Sequence, residues 1–243
     1  MNLIGLTRIR NESAIIKDTL DHMSEFCSTV FVYDDCSTDD TVSICENHPI
    51  VSKVIKGSTW SPNRLVEEYS NRQQLFLEAK KILGSNDWFV YMDADERIEF
   101  DWSELNDNID AVRMKLFDFY ITEEDKDLPY TERKWMGPEH RSILFAFRMG
   151  AAVGWHGLDQ RECYLRGNSI IKSSGFVKHY GKAISIEEWE STCDYYIKYF
   201  PQHYRAKWLS RKGKAIHTIS DFGKPLIKWE DRKSSPHLIP MQP

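Results

Sequence analysis

Short apolar runs alternate with segments of helical periodicity over the first 110 residues. Four runs rich in β-branched and aromatic residues have the length of buried strands: 3–7, 29–33, 51–56 and 87–92. Between them, helical spacing begins at Asn11, spans Thr41–Asn47 and runs over Asn63–Leu83, and Gly84 ends the third of these segments. Strands alternating with helices predict βαβ units, and therefore an α/β fold with a Rossmann-like, mainly parallel sheet flanked by helices.

The second half of the chain has a less regular pattern. Residues 111–121, 143–148 and 170–178 predict further strands, and Ile184–Phe200 predicts a helix. The polar and acidic stretch 122–138 is predicted to be a long loop, and the last eight residues, which include three prolines, an irregular tail. We therefore expect one continuous domain, in which residues 111–243 elaborate the sheet of residues 1–110.

Composition narrows the class of protein. Of the 243 residues 41% are hydrophobic, which is enough for a sizeable core and excludes disordered and fibrous chains. No stretch approaches the ~20 consecutive apolar residues of a membrane span. The five cysteines form no C-x-x-C pair, which favours reduced thiols and a cytoplasmic protein.

Charge is distributed unevenly along the chain. The net charge of −5 combines an acidic first half with a basic second half. Between Lys198 and Lys233, lysines and arginines are interleaved with tyrosine, phenylalanine and tryptophan. This basic tail is typical of a solvated face over an aromatic core, or of a surface for an anionic partner, such as the inner face of a membrane or a nucleic acid.

Two acidic clusters directly follow predicted strands. Asp34 and Asp35 come after the second strand, and Asp93, Asp95 and Glu96 after the fourth. In an open parallel sheet, ligands bind beyond the carboxyl ends of the strands, where we expect these carboxylates to converge. Carboxylates gathered without basic partners repel one another, and a hard divalent cation such as Mg²⁺ or Mn²⁺ relieves that repulsion. The clusters therefore predict a metal-assisted ligand site.

Three segments, taken together, resemble a known family. They read T-R-I-R-N-E-S at 7–13, V-Y-D-D-C-S-T-D-D-T at 32–41, and N-R-Q-Q-L-F-L-E-A-K with D-W-F-V-Y-M-D-A-D-E-R within 71–97. In order and spacing these segments are similar to family 2 glycosyltransferases, and most to small bacterial enzymes that act on lipopolysaccharide cores. The resemblance implies a GT-A fold, with a nucleotide-sugar-binding half at 1–110 and an acceptor-side half at 111–243. It implies metal-dependent, inverting sugar transfer from a nucleoside diphosphate sugar, UDP-sugars first among them, to a hydroxyl of a glycan, lipopolysaccharide or other polyanion.

The resemblance assigns nucleotide-binding roles by position. Thr7, with Arg8 and Glu12 in the turn after it, would line the nucleotide pocket. Asp35, with Asp34 beside it, would bind the uracil or ribose. These residues belong to the first two matching segments.

The third matching segment carries the implied diphosphate and metal roles. Arg72 matches an arginine that faces the diphosphate. Asp93 and Asp95 match an Asp-x-Asp pair, in which Asp95 would hold Mn²⁺ or Mg²⁺ and Asp93 would face the ribose, with Glu96 assisting. His179 is a further candidate for contact with the metal or the acceptor. A bound cation would neutralise the departing diphosphate.

The chain departs from the family pattern in two places. Cys36 stands where the family usually has glycine in the Asp-Asp-Gly-Ser-Thr turn. The His-Glu pair of related enzymes is missing, because His156 is followed by glycine. An inverting transfer needs a general base near the acceptor hydroxyl. The candidates are Asp159 first, then Glu139 and Glu162.

Two other functions compete with this hypothesis. A nucleotidyltransferase shares the architecture but normally has a glycine-rich phosphate loop after the first strand, whereas residues 7–11 contain no glycine. A non-catalytic binding module would dock through the basic tail on nucleic acid or a membrane, with strong salt dependence. A third possibility combines the binding module with sugar transfer: the basic tail holds a polyanionic acceptor for the transferase site. The overall acidity of the chain disfavours DNA as that acceptor.

Overall fold

The computed structural model describes residues 1–61, 64–156, 161–200, 202–236 and 238–241. Five α-helices lie within this part of the chain: α1 (Ile16–Ser24), α2 (Thr41–Asn47), α3 (Arg64–Ala79), α4 (Ile186–Tyr199) and α5 (Gln202–Arg211). Its strands are β1 (Leu3–Ile9), β2 (Thr29–Asp34), β3 (Val51–Lys56), β4 (Trp88–Tyr91), β5 (Glu96–Glu99), β6 (Ala111–Phe119), β7 (Trp135–Arg148), β8 (Ala152–Gly154), β9 (Tyr164–Leu165), β10 (Ile171–His179), β11 (Ile227–Lys228) and β12 (Ile239–Pro240). The chain divides into two compact units.

The first unit comprises residues 1–114 and 143–175. Its strand order is β3-β2-β1-β4-β7-β6-β10-β5, and β6, β7 and β10 each belong to it in part. Strands β3, β2, β1 and β4 are parallel neighbours, and β7 runs antiparallel to β4. The predicted α/β class, with a mainly parallel sheet flanked by helices, is confirmed. Residues 143–175, assigned by sequence to the second half, fold with the first unit.

Helix α3 covers the sheet of the first unit with one apolar face. Leu75, Phe76 and Ala79 recur at helical spacing, and each is at most 2% exposed. They lie in one buried cluster with Phe89 of β4 and Trp155, which also includes Tyr91. Burial of each large side chain contributes roughly 1.5–3 kcal/mol to the stability of the fold, so the cluster holds α3 against the sheet.

The second unit comprises residues 115–142 and 176–243. Ser185 begins α4 by accepting a hydrogen bond from the backbone N–H of Glu188 at 3.1 Å. Helices α4 and α5 pack through buried tryptophans, with the Trp208 ring stacked on Tyr196 at 4.4 Å. Trp208 of the basic tail therefore joins a small core that α4 begins with Trp189 and Tyr196.

The predicted loop at 122–138 is partly wrong, because β7 begins at Trp135 and a 3₁₀ turn spans Tyr130–Glu132. Buried Arg133 donates to carbonyl oxygens of Leu128 and Ala183, both at 2.9 Å, and to that of Asp125. The Asp125 carboxylate in turn accepts the backbone N–H groups of Thr122 and Lys134. The polar composition predicts a solvated loop, whereas in the structure these side chains form the hydrogen bonds that the backbone of the segment would otherwise make with water.

Other departures from the predicted elements are local. Helix α5 and strand β5 carry no clear periodicity in the sequence and were not predicted. Helix α3 ends at Ala79, four residues before Leu83. Within the described ranges, no helix combines the length and the apolar character that a membrane crossing requires.

Candidate donor-binding site

The strand order reverses at β1 in the first unit. From β1 the chain adds β2 and β3 on one side, and then returns to place β4 on the other side. In open α/β sheets such a switch point leaves a crevice beyond the carboxyl ends of the strands. Arg8, near the end of β1, is in register with Tyr33, one residue before Asp34. The segments that the sequence singles out therefore end at this crevice.

Arg8 joins the ends of β1 and β2. Its guanidinium donates to Asp35 at 3.0 Å and to Glu68 at 3.2 Å, and Asp35 is 1% exposed. Burial disfavours the charge of Arg8, but Glu68 and other nearby acidic groups outweigh it and raise the pKa of this guanidinium. Arg8 therefore supplies a permanent positive charge at the crevice.

Tyr91 links Arg72 to Asp93. The Arg72 Nε donates to the Tyr91 hydroxyl at 3.0 Å, and that hydroxyl donates to Asp93 Oδ1 at 2.8 Å. Burial raises the pKa of Tyr91 to about 12, so the hydroxyl remains a donor. Burial also opposes ionisation of Asp93, but Arg161, Arg72 and Arg8 outweigh it and lower its pKa to about 2. Asp93 is therefore a carboxylate at neutral pH.

Arg161 is a residue of this site that sequence reasoning missed. Its Nε lies 3.5 Å from Asp93 Oδ2, and its Nη2 pairs with Glu96. The guanidinium carbon lies 4.5 Å from the ring centroid of Phe145 and 5.7 Å from that of Tyr91. The basic partner is 65 residues from Glu96 in sequence, so no local spacing could have indicated it.

These arginines correct one premise of the sequence analysis. The acidic clusters were expected to lack basic partners and to depend on a cation for neutralisation. Instead Arg8 pairs with Asp35, and Arg161 pairs with Asp93 and Glu96. Glu96 is 1% exposed and also accepts the backbone N–H of Asp93 at 2.9 Å. Its carboxylate therefore holds both the Arg161 side chain and the turn that follows β4.

Within the part of the chain that the structure describes, several buried polar atoms near the crevice have no hydrogen-bond partner. They are Thr7 Oγ1, Arg8 Nε, Asn71 Nδ2 and Arg161 Nη1. Thr7 is 0% exposed and Asn71, which precedes Arg72 on α3, is 1% exposed. An unsatisfied buried polar group costs about 1–3 kcal/mol, and such groups in a native fold call for an explanation. A polar, anionic ligand with several oxygen atoms would satisfy these donors.

The turn after β2 is held by side chains of the segment after β1. Asp34 accepts the backbone N–H of Ser37 at 3.1 Å, and Asn11 accepts that of Thr38 at 2.8 Å. The backbone N–H of Glu12, a half-buried residue, donates to Thr41. Cys36 has a φ of 59°, in the left-handed region that favours glycine. The structure thus explains the family's glycine there and places Asp34 in the scaffold of the crevice.

Asp95 is the half-buried acid between Asp93 and Glu96. Across the described ranges, no group of three or more histidine, cysteine, aspartate and glutamate side chains is arranged to hold a metal ion. Mg²⁺ commonly uses one or two protein carboxylates, with substrate phosphates and water completing its shell. Asp95, with Asp93 at the crevice, fits that mode of binding and does not fit an all-protein cage.

The predicted general bases lie in different surroundings. The Glu162 carboxylate accepts hydrogen bonds from Nη1 and Nη2 of Arg113, at 2.9 and 3.1 Å, and from the backbone N–H of Leu144. Glu139, in the second unit, is 7% exposed and accepts the Ser220 hydroxyl at 2.9 Å. Both carboxylates thus have local structural partners. Asp159 lies outside the described residues, and its role stays a prediction.

His179 belongs to the second unit, whereas Asp95 belongs to the first. Asp118 accepts from Arg141 and Lys182 at 2.8 and 2.7 Å and lies 2.6 Å from His179 Nδ1. Burial opposes ionisation of Asp118, but Lys182, His179 and Arg141 hold its pKa well below the usual value. We define the Asp118 cluster by six residues: Asp118, Arg141, His179, Lys182, Arg211 and Asp221.

Comparisons with known proteins place few constraints on the chain. No family model matches it. Uncharacterised proteins of Mycobacterium tuberculosis and Mycobacterium bovis are each 33% identical over 103 residues, which are 42% of this chain and 25% of theirs. The chain thus spans about a quarter of the length of the curated relatives that it matches.

Among solved structures, mannosyl-3-phosphoglycerate synthase of Rubrobacter xylanophilus is 18% identical, with a TM-score of 0.31 over 54% of this chain and 44% of that one. Glucosyl-3-phosphoglycerate synthase of Mycobacterium tuberculosis with phosphoglyceric acid is 15% identical, with a TM-score of 0.35 over 62% and 58%. Another structure of the latter holds Mn²⁺ and UDP-glucose, at 19% identity and a TM-score of 0.32 over 48% and 43%. Similarity at these TM-scores carries no argument about activity.

Proposed function

We propose that this chain transfers a sugar from a nucleoside diphosphate sugar to a hydroxyl acceptor in a metal-dependent reaction. One observation carries the proposal. Arg8, Arg72, Arg161 and Asp93 converge at the topological switch point of the sheet, around Tyr91, and buried donors among these residues lack partners. Diphosphate recognition requires such fixed cations and N–H groups.

The contacts support specific roles toward the donor. Arg72 and Arg8 are charged and fixed by Tyr91 and Glu68, so they can bind phosphate oxygens with little loss of side-chain entropy. Thr7 offers a buried, unpartnered hydroxyl at the end of β1. Asp35, held by Arg8, is proposed to bind the base or ribose, as the family resemblance implies.

Asp95, with Asp93, is proposed to hold Mg²⁺ or Mn²⁺ at the diphosphate. When bound, the ion supplies Lewis-acid stabilisation of the negative charge on the leaving nucleoside diphosphate. Tyr91 and Arg161 orient Asp93 by contacting its two oxygens separately. Asp93 is ionised at neutral pH because its pKa is about 2, so it needs no deprotonation before a cation binds.

We propose that transfer inverts the anomeric configuration. The acceptor oxygen forms a bond to the anomeric carbon while the bond from that carbon to the diphosphate oxygen breaks, and the electron pair stays on the diphosphate. The acceptor proton passes to a general base, for which Asp159 remains the first candidate from the sequence. The acceptor is proposed to be a glycan or lipopolysaccharide hydroxyl, on the family resemblance.

The test measures donor binding and hydrolysis. Titration calorimetry with UDP-, GDP- and ADP-sugars, each with Mn²⁺ or with EDTA, should reveal one preferred donor whose binding strengthens with the metal. Asp95→Asn should abolish the metal-dependent gain and reduce turnover by about a hundredfold or more. The exposed Asp107 provides the matched control, Asp107→Asn, which should behave as wild type.

A wild-type protein that binds no member of the donor panel, with or without metal, would overturn the proposal. An Asp95→Asn variant with full metal-dependent turnover would refute only the assignment of the metal to Asp95. Circular dichroism of each variant verifies that the fold is retained.

A further inference from the structure

Arg161 has more hydrogen-bonding capacity than its protein partners use. Its Nε faces Asp93 and its Nη2 pairs with Glu96, whereas Nη1 is buried without a partner. The side chain is 19% exposed, and its guanidinium lies near the rings of Tyr91 and Phe145. The contacts with Asp93 and Glu96 therefore leave one buried donor of this guanidinium unsatisfied, at a cost of about 1–3 kcal/mol.

The position of Arg161 limits what could satisfy Nη1. Arg161 lies 3.5 Å from Asp93, and Arg72 bonds the Tyr91 hydroxyl that donates to Asp93. Arg8 and Arg72 both lie within ion-pair distance of Glu68. Tyr91 lies between two of these three arginines, with Arg72 bonded to its hydroxyl and Arg161 near its ring. A group that meets Nη1 at this crevice must therefore accept hydrogen bonds and tolerate three cations, which describes a phosphate oxygen.

We propose that Arg161 is a diphosphate-binding residue of the donor site, with Nη1 donating to the diphosphate while Nε and Nη2 remain fixed by Asp93 and Glu96. This inference rests on the proposed function and names a residue beyond those that the family resemblance assigns. It also divides the acidic turn into two tasks. Glu96 and one oxygen of Asp93 position Arg161, whereas Asp95, with Asp93, holds the metal in the proposed function.

Fixed orientation is the physical advantage of this arrangement. A free arginine side chain carries substantial rotamer entropy, which binding would remove. In Arg161 two nitrogens are already held by carboxylates and the plane is bounded by aromatic rings. Binding of a diphosphate then gains a charge-assisted hydrogen bond with little further ordering.

The experiment measures affinity in EDTA, so that metal binding does not enter. The probe is whichever of UDP, GDP and ADP wild type binds best. Arg161→Gln should lower that affinity about ten- to a hundredfold, the loss expected for a charge-assisted hydrogen bond. The control is Arg113→Gln, which removes the arginine paired with the neighbouring Glu162 and should leave the affinity within about threefold of wild type.

A double variant separates recognition from charge balance. Arg161→Gln alone leaves Glu96 buried without its cation, and this could disturb the site indirectly. In Arg161→Gln/Glu96→Gln that buried charge is gone, and thermal melting checks that the fold is regained. The proposal requires the affinity of the double variant to stay as low as that of Arg161→Gln.

Each outcome has a distinct meaning. Recovery of wild-type affinity in the double variant, or unchanged affinity in folded Arg161→Gln, overturns the role of Arg161 but leaves the proposed function intact. If wild type binds none of the three nucleoside diphosphates in EDTA, the same comparison of variants is made in Mn²⁺, and absence of binding there as well defeats the proposed function itself.

Discussion

Two clusters of charged side chains, one in each unit, use the same residue types to different effect. In the Asp118 cluster, the carboxylate of Asp118 is surrounded by Arg141, His179 and Lys182. In the donor site, Arg8 and Arg161 each retain a buried nitrogen without a partner. Among the residues that the structure describes, no side chain of the Asp118 cluster has such an unsatisfied buried atom. The contrast supports a structural role for the Asp118 cluster and agrees with the ligand-binding role that we propose for the donor site.

The largest expected effect is on the Asp118 cluster. Asp118→Ala leaves the half-buried Lys182 and His179 without their shared partner and should lower the free energy of unfolding by about 3 kcal/mol, the low end for a buried pair, measured by urea denaturation. Asp194→Ala is the control, because Asp194 pairs with Lys212 at an exposed site, and it should cost less than about 1 kcal/mol. Equal losses in the two variants would contradict the structural role of the cluster.

An intermediate effect is expected from pH at the donor site. The pKa of Asp93 is about 2 in the fold, against 3.8 for an ordinary aspartate, so its ionised form stabilises the folded state above pH 3.8. That contribution, at most about 2.5 kcal/mol, is lost as the pH falls through 2. Asp93→Asn should therefore lose less stability than wild type between pH 5 and pH 2 in urea titrations. Asp107→Asn should follow wild type, and parallel profiles for all three would refute the assignment.

The smallest effect concerns the turn beside Asp35. At a φ of 59°, Cys36 carries a conformational cost of roughly 1–2 kcal/mol that glycine avoids. Glycine loses more backbone entropy on folding, by about 0.5–1 kcal/mol, and gives up the weak bond from the thiol to Gly57. Cys36→Gly should therefore change the free energy of unfolding by less than about 1 kcal/mol. Cys36→Val, β-branched in the same conformation, should destabilise more, and the reverse ranking in urea would contradict this account.

Periodicity predicted the first unit well because its strands and helices are each encoded locally. Helix α2 and strand β3 have the predicted bounds, Thr41–Asn47 and Val51–Lys56. Apolar runs of strand length admit few other solutions once they alternate with helical segments. The crevice followed from topology, since Arg8, Asp35 and Asp93 come at or just after the ends of parallel strands.

The sequence could not predict how the crevice is neutralised. Arg161 meets Glu96 across 65 residues, and the Asp118–Lys182 pair spans 64. Such contacts depend on the order of the strands in the sheet. No local motif in the sequence indicates that order. Helix α5 was missed for a related reason, since only Trp208 among its described side chains is buried, against the core of α4. Packing between elements, rather than propensity, defines these parts of the protein.

The Arg133 contacts have a consequence for protein engineering. Residues 122–134 have the polar composition at which a tag, a cleavage site or an extra domain would ordinarily be inserted. Yet the Arg133 guanidinium binds the carbonyl oxygen of Ala183, and the Asp125 carboxylate accepts backbone N–H groups from both ends of the segment. Lysine has no planar fork to replace that arginine. Changes in length between Asp125 and Arg133 would separate these groups, so this polar stretch is a poor place for an insertion.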